Sequence, residues 1–167
     1  MTMHSPDRAA HPSRHGRRTS AEGGGKYVVG PVSDFPPGSQ RLVTVGRRTI
    51  AIFNVRGTLY ALYNQCPHQG GSLCAGTVVG RLESPEPGRY DYDSSRPMIK
   101  CPWHGWEFEL ATGRSWADPE RVRVRPYAVE VASGGSLAND PEQIAGPYTA
   151  TTIPVTVDGD YVVVSLS

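Results

Sequence analysis

Two short segments of this chain carry sulfur and nitrogen donors at metal-binding spacing: Cys66-Pro67-His68 and Cys101-Pro102-Trp103-His104. Each supplies one thiolate and one imidazole, close enough along the chain to point into one site. The prolines stiffen both segments, and Gly70, Gly71 and Gly105 let backbone N–H groups come close to the sulfurs. The chain has 3 cysteines, an odd number, where a secreted disulfide framework usually has an even one. Two of them sit with histidines, which points to metal rather than to a disulfide. Two Cys and two His would also suit a structural zinc ion, although zinc motifs of that kind usually pair Cys with Cys and His with His.

The remaining donors read differently. Cys74, beside Leu73, is expected to be a small buried hydrophobe rather than a reactive thiol. His4, His11 and His15 lie in Met1–Gly25, which has almost no large apolar residues and ends in three glycines. That tail cannot bury enough surface to offset its ordering entropy, so residues 1–25 are expected to be disordered, with solvated histidines.

Residues 26–167 must position the site, and their pattern is that of short strands. A length of 167 residues allows one domain, and 19 Gly with 15 Pro favour many turns over a helical bundle. Strands are expected at Tyr27–Val29, Gln40–Val45, Arg48–Val55, Thr58–Tyr63, Met98–Lys100, Trp106–Leu110, Arg125–Val131, Thr151–Val157 and Tyr161–Leu166. Arg56-Gly57 and Asp158-Gly159-Asp160 would serve as hairpin turns. In Thr58–Tyr63, alternation places Leu59, Ala61 and Tyr63 on one face, Tyr60 and Leu62 on the other. Polar stretches at 80–97 and 133–147 read as loops grown out of hairpins, the second with at most a helical turn near Pro141–Ile144. Such growth is tolerated because closure entropy rises slowly with length.

Cys-x-His followed by Cys-x-x-His-Gly-Trp on an all-β meander resembles the Rieske iron–sulfur family, as found in Rieske ferredoxins and in ring-hydroxylating oxygenases. Residues Gln65–Leu73 and Cys101–Phe108 both look like its cluster-binding loops, and the likeness spans Lys26–Leu166 less the two inserted loops. The resemblance implies an antiparallel β-sandwich with an inserted two-loop subdomain. It also implies one 2Fe–2S cluster, with Cys66 and Cys101 on the inner iron and His68 and His104 on the outer one. Residues 69–100 separate the two motifs, farther than is usual in the family, and the excess coincides with 80–97. With neutral imidazoles the oxidised cluster has no net charge, which raises Rieske potentials above those of four-thiolate centres. High-potential members add a disulfide between the loops and hydroxyl donors to the sulfurs. The matching positions here hold Gly71 and Trp103, then Trp106 and Phe108, so a low potential is expected.

What remains is the kind of protein. Formal net charge is +1, and the body past residue 25 holds 13 basic and 14 acidic groups, so no strong field favours nucleic acid or an anionic membrane. No stretch approaches the ~20 apolar residues of a membrane span, and the polar residues after Arg17-Arg18 argue against an export signal, so a cytoplasmic protein is expected. A complete oxygenase would need two more histidines and a carboxylate for mononuclear iron, and the body has only His68 and His104. Nor is there a Gly-x-Gly-x-x-Gly for a nicotinamide or flavin. The chain itself therefore offers no catalytic residues. The expected role is an electron carrier between a reductase and a terminal oxygenase or similar enzyme. The alternatives are a stand-alone Rieske subunit of a larger complex and a zinc-binding interaction module.

Overall fold

The computed structural model of the chain describes residues 25–138 and 159–166. Among them, nine strands follow in order: β1 (Gly25–Pro31), β2 (Gln40–Val45), β3 (Arg48–Val55), β4 (Thr58–Tyr63), β5 (Thr77–Glu86), β6 (Arg89–Lys100), β7 (Glu107–Glu109), β8 (Pro126–Ser133) and β9 (Asp160–Leu166). One short helix, α1 (Gly134–Ala138), follows β8. No helix of the described residues is long and apolar enough to cross a membrane.

Six strands form the body in the order β1-β9-β8-β4-β3-β2, and β5-β6-β7 form a separate three-stranded sheet, all antiparallel. The small sheet is inserted between β4 and β8, as the expected two-loop subdomain requires. The β3–β4 turn is built as its sequence demands: Arg56 and Gly57 both have positive φ, 53° and 93°.

β3 and β4 are buried on both faces, and this ties the site to the body. Ile50, Ile52 and Ala61 point into a core shared with Val45, Phe35, Tyr127, Val162 and Val164, where the two halves of the six-stranded sheet meet. Ala51, Phe53 and Leu62 point the other way, into a second core with Leu73, Ile99, Phe108, Leu110 and both motif cysteines. The alternation expected in β4 is thus the alternation between two cores. In β2 the inward residues are Val43 and Val45, and Leu42 faces solvent.

Three expectations change. Residues 80–97 are no loop: they continue β5 and β6 as a hairpin, in register from Thr77↔Lys100 to Glu86↔Arg89. The register shifts between Gly80 and Arg81, where the partner jumps from Pro97 to Asp93 and leaves Ser94, Ser95 and Arg96 as a bulge. Asp93 holds this bulge through Ser95, whose N–H and hydroxyl donate to its carboxylate at 2.8 and 2.6 Å. In the stretch 133–147, Ser133 ends β8 and the helical turn comes early, at Gly134–Ala138 rather than near Ile144. Gly25, counted with the tail, opens β1 and pairs with Leu166. The remaining tail, residues 139–147 and the expected strand Thr151–Val157 lie outside the described residues.

Candidate metal centre

Two loops close on the site from the ends of β4 and β6, and one backbone frame builds both. In the first, Cys66 N–H donates to Gly71 O at 2.9 Å and Gly70 N–H to Cys66 O at 2.8 Å. In the second, Cys101 N–H donates to Trp106 O at 2.7 Å and Gly105 N–H to Cys101 O at 3.1 Å. The same i to i+5 and i+4 to i bonds thus recur, each loop beginning Cys-Pro and turning at a fifth residue that must take positive φ. Gly70 (85°) and Gly105 (70°) supply it.

The four candidate donors are brought together in two pairs, thiol with thiol and imidazole with imidazole, sorted by depth. Cys66 and Cys101 are each 2% exposed and sit within the second core, whereas His68 and His104 are exposed. The two imidazole rings stand edge to face with centroids 4.8 Å apart. Burial pushes the Cys66 thiol above its ordinary range, and the adjacent Cys101 adds to this; backbone N–H groups of His68 and Gln69 work against it.

The cradle is tight. A Cβ placed on Gly71 would lie 3.0 Å from Cys101 Sγ and 3.1 Å from the Trp103 ring, so any side chain there would press on both. Gly71 and Trp103 therefore do face each other across the loops, at the positions where a disulfide would join cysteines. All three cysteines are free. Trp106 lies against His68, ring centroids 5.5 Å apart, and stacks on the fully buried Phe108 at 6.5 Å. Of the four aromatics of this region, Trp103, Trp106, Phe108 and Trp116, most would by default pack under the site; Trp106 and Phe108 do, whereas Trp103 and Trp116 are 61% and 42% exposed. Cys74 is half-buried against the core, and burial raises its thiol as well.

One supporting residue had no signal in the sequence. Asn64 is buried at the foot of the first loop, where its Oδ1 accepts from Cys74 N–H at 2.7 Å and its Nδ2 donates to Ser72 Oγ at 3.0 Å. It ties the chain leaving the loop to the strand entering it.

Among the described residues no three His, Cys, Asp or Glu side chains converge as on a single ion. The donors form a buried thiol pair and an exposed imidazole pair. That division suits a two-iron group, in a cradle that leaves little room for a side chain at Gly71. Residues 25–128 match the family model of the Rieske [2Fe-2S] domain.

The chain belongs to the Rieske family.

Ferredoxin CarAc of Metapseudomonas resinovorans is 32% identical over 103 residues, 61% of this chain and 81% of the relative. The 3-phenylpropionate/cinnamic acid dioxygenase ferredoxin subunit of Escherichia coli is 29% identical over 112 residues, 67% of this chain and 91% of the relative. A solved structure from Mycobacterium tuberculosis, described as the small subunit of an NADH-dependent nitrite reductase, superposes with a TM-score of 0.58 at 20% identity. It covers 87% of this Rieske chain and 98% of that one, and at this identity the likeness is one of fold.

Proposed function

We propose that this Rieske protein is a cytoplasmic one-electron carrier in which Cys66 and Cys101 hold the inner iron of a 2Fe–2S cluster and His68 and His104 the outer iron. The observation that carries the proposal is the sorting by depth: buried thiols, exposed imidazoles, on two loops of one backbone frame. Bound there, a 2Fe–2S cluster accepts and gives up one electron at a time. The chain's own residues do the rest. Leu73, Ile99, Phe108 and Leu110 keep water from the sulfurs, while the exposed imidazoles present the edge by which electrons enter and leave.

A reductase is the proposed donor and a terminal oxygenase, or a similar enzyme, the acceptor. The relatives named as a ferredoxin and as a dioxygenase ferredoxin subunit support an oxygenase as partner. The potential is proposed to be low. The sixth residue of the second loop, Trp106, and Phe108 two places on have no hydroxyl to donate to sulfur, and no disulfide clamps the loops.

Optical and low-temperature EPR spectra of the anaerobically reduced protein, with a potentiometric titration, test the whole reading. A Rieske spectrum is expected, with a potential within roughly 100 mV of the −150 mV end of the family range and no response to thiol reductants. Trp106→Ser with Phe108→Tyr should raise it. A colourless zinc protein, or a potential above about +200 mV, would overturn the proposal.

A further inference from the structure

Beyond the second loop, residues 112–125 carry Arg114, Arg121, Arg123 and Arg125 against only Asp118 and Glu120. The segment doubles back on itself. Ser115 N–H donates to Val122 O at 2.9 Å and Val124 N–H to Gly113 O at 2.8 Å, forming an isolated antiparallel bridge between Arg114 and Arg123. Those two bonds flank the arginine pair, which makes it the narrow, non-hydrogen-bonded kind whose side chains stand closest. Alternation sends Ser115, Val122 and Val124 inward and leaves all four arginines exposed.

Like charges directly opposite each other on paired strands are destabilising. No carboxylate of the described residues forms an ion pair with Arg114, Arg121 or Arg123. Asp118, in the turn, spends its Oδ1 on the backbone N–H of Arg121 at 3.2 Å. The chain thus places two cations side by side without compensation, in a body whose charges otherwise nearly balance. A local rule broken in this way marks a surface that is used.

Its position says for what. Arg123 and Arg125 form one wall of a concavity of ≈ 560 Å³, and Cys66, Pro67, Gln69 and Gly70 of the first loop form the other. On the far side, Arg114 shares a smaller hollow of ≈ 210 Å³ with Arg81, Arg96 and Glu109, where Arg81 is already paired with Glu83 and Arg96 with Glu109, so Arg114 brings the uncompensated charge. Positive charge therefore runs from the Arg114–Arg123 pair, through Arg123 and Arg125, to the residues on either side of His68. The charge is spread over a surface rather than gathered in one enclosed pocket. That suits a protein face bearing several carboxylates better than a small anion.

We propose that the Arg114–Arg123 pair and its neighbouring arginines dock an acidic face of the electron-transfer partner beside the first loop. The identity of the partner as a redox protein rests on the carrier reading above; the acidic docking surface does not. The test therefore reads binding alone. Fluorescein-labelled poly-L-glutamate is titrated with the full-length protein, with inorganic phosphate and an oligothymidylate of matching charge as competitors.

Binding is expected, weakened at least about tenfold between about 20 and about 200 mM NaCl, as screening of exposed charges requires. Arg114→Gln with Arg123→Gln should lose a similar factor. Arg56→Asn, at the β3–β4 turn away from the loops and at a positive φ that Asn tolerates, should lose nothing. The double variant should also melt no lower than the parent, because it relieves repulsion. A lower melting point, unchanged affinity in the double variant, or an equal loss in Arg56→Asn would overturn the proposal. So would tighter binding of phosphate or oligothymidylate than of poly-L-glutamate. Each of these outcomes stands whatever the spectrum of the cluster proves to be.

Discussion

The two loops share a backbone frame, yet they differ at their third, fourth and sixth residues, and the differences at the third and sixth interlock. The first loop has His68 third and Gly71 sixth; the second has Trp103 third and Trp106 sixth. Each third residue lies against the other loop's sixth: Trp103 over Gly71, and His68 beside Trp106. A large residue meets a small one on one side, and an imidazole meets an indole on the other. Shape holds the loops together where other members of the family use a disulfide. The anchoring differs as well. The first loop is fixed at its foot by the buried Asn64 side chain, whereas the second continues directly into the β6–β7 ladder, Lys100 paired with Glu107.

The equivalence of the loops is broken most severely at the donors. His68→Ala or His104→Ala should abolish or convert the cluster, read by iron content and EPR, because one iron would lose a protein ligand. Losing His104 should do as much harm as losing His68, although they occupy fourth and third places in their loops. A normal Rieske spectrum in His104→Ala would refute the ligand assignment. Gly71→Val comes next. Its side chain would have to displace Cys101 Sγ and Trp103, so a loss of about 1–3 kcal/mol is expected from overpacking, with partial loss of iron. Adding Trp103→Ala should recover part of that loss, since it vacates the facing position. Failure to recover would mean that the two loops do not depend on each other's shape.

Asn64→Ala sharpens the contrast in anchoring. It leaves Cys74 N–H and the Ser72 hydroxyl without their partner, at a cost of about 1–2 kcal/mol in chemical denaturation. Hydrogen exchange should quicken in residues 66–76 and hardly change in 101–106. An equal change in both loops would show that Asn64 serves the core at large.

The same contrast explains what could be read from the sequence. Donors at Cys-x-His and Cys-x-x-His spacing are a local property, visible in a dozen residues, and so are the short β-prone runs and the Arg56-Gly57 turn that bound β2, β3 and β4 to the residue. Gly71 and Asn64 owe their roles to contacts closed only by the fold, and nothing near them in sequence announces it. The outer half of the β5–β6 hairpin was unreadable for a different reason. Residues 84–92 are exposed on nearly every side, so no hydrophobic period marks them as strand; pairing along the ladder alone makes them one. Trp103 and Trp116 show the converse limit, since large aromatics in an apolar neighbourhood gave no sign that they would face solvent.

The smallest effect is expected where the second loop leaves the site. Glu109, the last residue of β7, accepts from the Thr112 hydroxyl at 2.6 Å and from Arg96 Nη2 at 2.9 Å, which joins the bulge of β6 to the strand that follows the loop. The Thr112 hydrogen bond, with Arg96 assisting, holds the Glu109 carboxyl below its ordinary range. A carboxylate whose pKa is lowered by folding adds stability that is fully present above its unfolded pKa and is lost as pH falls through the folded one. Arg96 is 45% exposed on its side chain, so solvent screens the pair, and Glu109→Gln should cost no more than about 1 kcal/mol at neutral pH. The difference from the parent should shrink as the solution is acidified below the ordinary carboxylate range. Because backbone pairing of Lys100 with Glu107 already secures the loop, iron content should not change. Loss of iron in Glu109→Gln would mean that the second loop, like the first, depends on a side chain at its foot, and the contrast in anchoring would fall.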